Sequence, residues 1–391
     1  MHYNFNKTIN RKNSFSIKWD GHKLFKKNED LLPFWVADMD FPVCKEIKDG
    51  IIKRATHPIY GYPIRPEKYF NAVINWFSKK YNFEIKRDWI LSTAGIVPAI
   101  NFAIQAFTEE NDKIIIQTPV YYPFNDAIIL NKRTPVYNSL IYKDNTWFMD
   151  FDDLQKKIDK NTKMLILCNP ANPVGRVWTI EELKTLADIC LKNNIIVVSD
   201  EIHCDLVMPG FKYTPFATIS EQISDLCITC TSASKTFNIA GLYCSNIFIK
   251  NKLLYNKFMN VLLKNGLLSG INLFGIVATY YAYTYGEDWL NQVLNYIYEN
   301  YLFLKEFINK NIPKIEVTKL EGTFLVFLNF NRFKLKDEEL LNIFENKCKL
   351  WIDEGIKFGK EGSGFIRLNI ATSRKNIKIG LNKIYENFKN L

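Results

Sequence analysis

The feature that most constrains this chain is a series of short β-branched runs with no charge inside them: KIIIQ at 113–117, MLILC at 164–168, IIVVSD at 195–200 and LCITC at 226–230. A strand with one wet face alternates apolar and polar side chains, whereas a run without alternation has both faces covered. Segments of helical periodicity separate these runs at 97–107, 151–160 and 180–192, and 134–137 reads as a further strand. Doubly buried strands spaced by amphipathic helices predict an α/β fold, three layers built on a mostly parallel sheet. Beyond 251 the pattern turns helical, with one long segment over 289–310. The end of the chain mixes short strands (323–328, 364–369) with helices (337–345, 375–388), as a smaller α+β domain would. The expected division is an N-terminal arm over 1–47 that joins the small domain, a large domain over 48–285 and the small domain over 286–391.

Composition bounds the function. A length of 391 residues allows a large core and more than one domain. The formal charge of +10 attracts anions weakly, but the lysines are spread along the chain without a basic tail or block. They read as a solvated surface, and no nucleic-acid-reading module is visible. No apolar run approaches the ~20 residues that a membrane span needs. The first 23 residues lack the apolar stretch and cleavage site of a secretory signal, so the expectation is cytoplasmic residence without a membrane partner. Of the eight cysteines, only Cys227 and Cys230 form a CxxC. In a straight strand residues three apart face opposite sides, which favours packed thiols over a redox or metal pair.

Catalytic loops in such sheets leave the carboxyl ends of strands. Three polar clusters occupy such positions, at 169–175, 200–205 and 231–238. Lys235, in SASKTFN, follows a strand end beside Thr231, Ser232 and Ser234. A partly desolvated lysine has a lowered pKa and forms Schiff bases, and hydroxyls with backbone amides suit a phosphate. Asp200 ends an apolar strand and has two readings: a cap on the following turn, or the ion-pair partner of a protonated cofactor ring nitrogen. His203, three residues on, either faces the same cleft or packs.

Seven segments then occur in order: FWVADMDF (34–41), HPIYGY (57–62), TPVYYPF (118–124), LCNPANPVGRVWT (167–179), SDEIH (199–203), SASKTFNIAGL (232–242) and GFIRLNIA (364–371). Together they resemble the fold-type-I pyridoxal-phosphate enzymes of the class I/II aminotransferase superfamily, within them the bacterial cystathionine β-lyase or C–S lyase branch. The resemblance implies pyridoxal 5'-phosphate bound covalently by Lys235, with Asp200 on its ring nitrogen and Tyr121 stacked on the ring. It implies Asn172 at the ring's phenolic oxygen and His203 where related aminotransferases often place a tyrosine. Ser232, Ser234 and the backbone of Gly95, Ile96 and Val97 correspond to phosphate-side positions at a helix start. Arg367 corresponds to the arginine that takes the substrate carboxylate in a bidentate pair. Tyr62 corresponds to a tyrosine donated across a homodimer interface.

Where typical aminotransferases carry a phosphate-binding arginine eight residues after the lysine, this chain has Tyr243. That departure and the WVADMDF arm favour the lyase branch, although Trp35 and Phe41 also suit a purely anchoring role. The expected reaction is β-elimination from cystathionine or a related cysteine conjugate, giving thiol, pyruvate and ammonia. The alternatives are an aminotransferase and, in another class, a regulatory protein-binding role.

Overall fold

The computed structural model describes residues 2–267 and 271–391. Its centre is a seven-stranded sheet of β1 (Ile90–Thr93), β2 (Lys113–Thr118), β3 (Thr134–Ser139), β4 (Thr162–Cys168), β5 (Ile196–Asp200), β6 (Cys227–Thr231) and β7 (Ser245–Phe248). The spatial order is β1-β7-β6-β5-β4-β2-β3, with β7 running opposite to the other six.

The apolar runs are continuous because successive side chains enter two different cores. Ile114 and Ile116 pack on one side of the sheet with the helix Ile96–Phe107, while Ile115 packs on the other. Met164, Ile166 and Cys168 likewise alternate with Leu165 and Leu167. The same alternation separates Cys227 from Cys230, which lie in opposite cores, and all eight cysteines are free and buried. Among the described residues no helix is long and apolar enough to cross a membrane.

Expected and observed elements coincide best where periodicity is strong: the helix at 180–192 is observed as Ile180–Lys192. The helix expected over 151–160 stops at Lys157, because Asp159 accepts the amide of Asn161 at 2.9 Å and turns the chain toward β4. The strands β1 (ILST) and β7 (SNIF) had no expectation attached to them, being short and partly polar. The helices Lys45–Ala55 and Glu67–Tyr81 were also missed, lying upstream of the region of regular pattern. The helix expected over 337–345 is observed as Asp337–Asn342, followed by a wider π-type turn over Ile343–Lys347.

A second, four-stranded antiparallel sheet comprises β8 (Glu316–Val317), β9 (Leu325–Asn329), β10 (Asp353–Glu354) and β11 (Phe365–Asn369), in the order β8-β9-β11-β10. The N-terminal arm reaches this part of the molecule. Leu32–Pro33 pairs in parallel with Leu350–Trp351, and the rings of Trp35 and Trp351 stack at 4.2 Å with an 11° interplanar angle. The carboxyl ends of β4, β5 and β6 therefore open toward β11 and the arm.

Candidate active site

Each of the three polar clusters is aimed by a specific local device. β5 ends at Asp200, level with Cys168 on β4 and Cys230 on β6. The Asp200 carboxylate accepts the Ile202 amide at 3.1 Å, so the turn-capping role is real and occupies only part of its accepting capacity. After β6, the Ser232 hydroxyl accepts the Ser234 amide at 3.1 Å and donates to the Cys244 carbonyl at 2.8 Å. This cap starts the short helix Ala233–Thr236 and directs Lys235 inward. The loop 169–175 is closed by Gly175, whose φ of +71° is cheap for glycine, and its carbonyl accepts the Glu321 and Gly322 amides. Arg176 locks the loop further by ion pairs to Glu321 and Glu182 at 2.8 and 2.7 Å.

From the second sheet comes Arg367, directly opposite Asp353 in the β10–β11 ladder and ion-paired with it. Its guanidinium also donates to Asn172 Oδ1 at 2.9 Å and to the Trp35 carbonyl at 2.9 Å, and lies 4.8 Å from the centre of the Phe358 ring. Among the described residues its Nε is buried without a partner. The amine of Lys235 donates to the Ala37 carbonyl at 2.5 Å.

These groups line one cavity of about 340 Å³, which includes Lys235, Asp200, His203, Asn172, Tyr121 and Arg367. Its electrostatics are dominated by burial. Burial raises the Asp200 carboxyl to about 7, the nearby Lys235 amine opposing this weakly. Burial lowers Lys235 to about 8, against the pull of Asp38 and Asp200. His203, buried near the cations Lys235 and Arg367, falls to about 3 and is neutral at physiological pH. Burial lifts Tyr121 to about 12, keeping it a hydroxyl. His203 Nδ1 is buried with no partner among the described residues. A buried carboxylate with one backbone donor, an unpaired imidazole nitrogen and an unpaired guanidinium nitrogen are polar groups whose desolvation is uncompensated among the described residues. Pyridoxal phosphate fits that set: it carries a cationic ring nitrogen for the carboxylate, an aldehyde for the amine and polar ring substituents for neutral donors.

Ile96 and Val97 line the cavity at the start of the helix that Gly95 caps, while Ser232 is buried and Ser234 half-buried in the capping turn. Tyr62 does not enter its own chain's cavity and is 99% exposed. Tyr243 is exposed beside a neighbouring cavity that Lys235 also touches. Sequence reasoning missed Asp353, whose position opposite Arg367 is a matter of strand register. It also missed the carbonyls of Trp35 and Ala37, since backbone acceptors leave no signature in side-chain identity. Tyr122, another wall residue, stands in the quoted TPVYYPF segment but was passed over for its neighbour.

Residues 29–384 match the model of the family described as aminotransferase class I and II. The cystathionine β-lyase PatB of Bacillus subtilis (strain 168) is 39% identical over 382 residues, covering 97% of this chain and 98% of the relative. The PLP-bound C–S lyase of Staphylococcus hominis superposes with a TM-score of 0.92 at 34% identity, covering 99% and 98% of the two chains. A PLP-bound protein of Clostridium difficile 630, described as an aminotransferase, gives 0.96 at 41% identity, covering 99% and 100%. With residues 29–384 matched by that family model and nearly its whole length matched by these relatives, the chain belongs to the class I and II aminotransferase family.

Proposed function

We propose that this protein is a pyridoxal-phosphate-dependent carbon–sulfur lyase that cleaves the Cβ–S bond of cystathionine or a related cysteine conjugate. The observation that carries this reading is the end-to-end match to a cystathionine β-lyase, 39% identical over 97% of the chain. When bound, the cofactor supplies a conjugated ring that accepts the electron pair left at Cα as its proton departs.

The rest is done by the chain. Arg367 binds the substrate carboxylate, and its contacts to Asn172 and Asp353 fix the plane in which it does so. Lys235 would hold the cofactor through its amine and, once that amine is free, is the base for the Cα proton. With a pKa near 8 it has a useful neutral fraction at physiological pH and still holds the proton it gains. Asp200 holds the proton on the ring nitrogen, a cation that offsets the cost of burying the carboxylate. Tyr121 would hold the ring face, and Asn172 and neutral His203 would serve its polar substituents. Ser232, Ser234 and the backbone at Gly95–Val97 serve the phosphate.

The Cα electron pair then forms a Cα=Cβ bond, the Cβ–S bond breaks, and the thiolate leaves with the bonding pair and is protonated. One water is consumed as the three-carbon remainder departs as pyruvate and ammonia. The active form in this reading is a homodimer, with Tyr62 of each chain completing the other's site. The arm 1–47 works with the small domain 286–391 against the large domain 48–285. Eight free, buried thiols suit a reducing compartment such as the cytoplasm.

The second reading, an aminotransferase, is favoured by the Clostridium difficile 630 neighbour and shares the steps up to proton removal. A panel of L-cystathionine, L-cysteine and S-alkyl cysteines, assayed for thiol and keto acid, tests the lyase. Thiol release from at least one thioether is expected, and none from any of them contradicts it.

A further inference from the structure

The segment 35–41 presents its carbonyls in an order that nothing above explains. The Trp35 carbonyl accepts from Arg367 at 2.9 Å, and the Ala37 carbonyl accepts from Lys235 at 2.5 Å. The intervening Val36 carbonyl and the next, of Asp38, both accept from the side-chain amide of Asn369, each at 2.6 Å. Beyond them, Asn238 accepts the Met39 amide and donates to the carbonyls of Met39 and Phe41, all at 2.9 Å. Alternate carbonyls thus point to the two working cations and to one clamp. The clamps come from the two sides of the cleft: Asn369 ends β11, two residues after Arg367, and Asn238 lies three residues after Lys235. The flanking side chains are fixed as well. Arg11 pairs with Asp38 at 2.7 Å and Asp40 at 2.8 Å, and buried Lys18 pairs with Asp40 at 3.1 Å.

We infer that Asn238 and Asn369 are positioning residues, which hold the segment 35–41 at residues 39 and 41 and at residues 36 and 38, so that its Trp35 and Ala37 carbonyls act as a ruler setting the separation of the Lys235 amine from the Arg367 guanidinium. Arg367 locates the substrate carboxylate and therefore Cα, so this separation decides whether the released amine meets the Cα proton. The Ala37 carbonyl is the acceptor for an N–H of that amine whenever it is free, including after it has taken the proton. Misplacing reacting groups by about 1 Å costs up to ~100-fold in rate. Two side-chain amides, far weaker in bulk than the ion pairs around them, acquire influence because they act on one rigid peptide segment.

The inference rests on the roles proposed for Lys235 and Arg367, and not on what happens at Cβ. It is tested with cofactor-loaded protein and L-alanine, which has no leaving group at Cβ, by following Cα–H exchange in deuterium oxide by NMR. Alanine affinity is measured from the visible absorbance, and melting temperature separately. Asn238→Ala and Asn369→Ala are each expected to slow exchange by ~10-fold or more. Affinity should change by less than ~3-fold, because Arg367 keeps Asn172 and Asp353. The double variant should lose less than the product of the two single losses, since both clamps serve one segment. Asn238→Ser keeps a single donor and Asn369→Asp keeps the acceptor for the Ala371 amide; the two serve if an alanine variant fails to fold, with exchange again expected to slow. Exchange within ~2-fold of the parent alongside a lowered melting temperature would make the clamps merely structural and overturn the inference. An unmodified protein that shows no exchange overturns the role of Lys235 itself. Normal exchange without thiol release from any thioether removes only the lyase reading.

Discussion

The floor of the cleft and the segment at 57–64 are incomplete in opposite ways. On the floor, Asp200 is 5% exposed with one backbone donor, and His203 and Arg367 each bury a nitrogen with no partner. At 57–64 it is apolar surface that lacks cover: Ile59, Tyr60 and Ile64 are all exposed, and Tyr62 almost wholly so. Unsatisfied polar atoms in a buried cavity wall are an invitation to a small polar molecule, because each uncompensated group costs about 1–3 kcal/mol. Uncovered rings on an extended segment are an invitation to another protein surface. The contrast teaches that unsatisfied polar atoms and uncovered apolar surface are different deficits, and the two call for different experiments.

The largest effect separates the two regions cleanly. Lys235→Ala should abolish the visible absorbance of the cofactor-loaded protein and lower turnover by ~10³-fold or more, while leaving assembly untouched. An absorbance spectrum and sedimentation of the same sample check both halves. A variant that keeps its colour would show that the covalent lysine lies elsewhere.

Next comes Asp200→Asn, with turnover expected to fall by ~10²-fold and cofactor occupancy to fall less. Its pH signature is specific. Burial raises the Asp200 pKa from 3.8 to about 7, so between those values the folded chain binds more protons than the unfolded chain and stability falls as pH rises. In the cofactor-free protein the asparagine variant should therefore be the more stable at pH 8, by up to ~4 kcal/mol, with the gap closing toward pH 4. Denaturant melts at the two pH values measure it, and a variant less stable at pH 8 would mean that the carboxylate already has a cationic partner.

How much of this was legible beforehand follows the same physics. The strands β2, β4, β5 and β6 declare themselves because both their faces are apolar, and with them the strand-end positions of Asp200, Asn172 and Lys235. β7 escapes because Ser245 and Asn246 dilute a four-residue strand that is buried only by its neighbours. Asp353 escapes because pairing across an antiparallel ladder depends on register, and the Ala37 and Trp35 carbonyls because every residue has one. The assignments of Arg367 and Tyr62 came through family resemblance, and no local pattern in either segment points to a carboxylate or an interface.

A smaller effect is expected from Arg367→Ala, which should raise KM strongly and lower kcat, since it removes a carboxylate clamp and leaves Asp353 buried without its cation. Initial-rate kinetics give both constants, and an unchanged KM would place the carboxylate elsewhere. The smallest effect belongs to the exposed segment. Tyr62→Ala should weaken cofactor binding and turnover by ~10-fold, with little change in melting temperature, because the ring is in solvent in its own chain. Mixing Tyr62→Ala with Lys235→Ala should restore part of the lost rate, through hybrid dimers with one intact site. No restoration would mean that Tyr62 acts within its own chain or not at all.

The lyase account is tested most directly by one reaction run twice. Cofactor-loaded protein is given L-cystathionine with and without 2-oxoglutarate, and thiol, pyruvate and ammonia are quantified together. The account predicts equal amounts of all three at the same rate in both runs, because the electron pair from Cα leaves with sulfur and no acceptor is consumed. Product that appears only with the 2-oxo acid, as an amino group transferred to it and with no thiol released, would contradict the account and make the protein an aminotransferase.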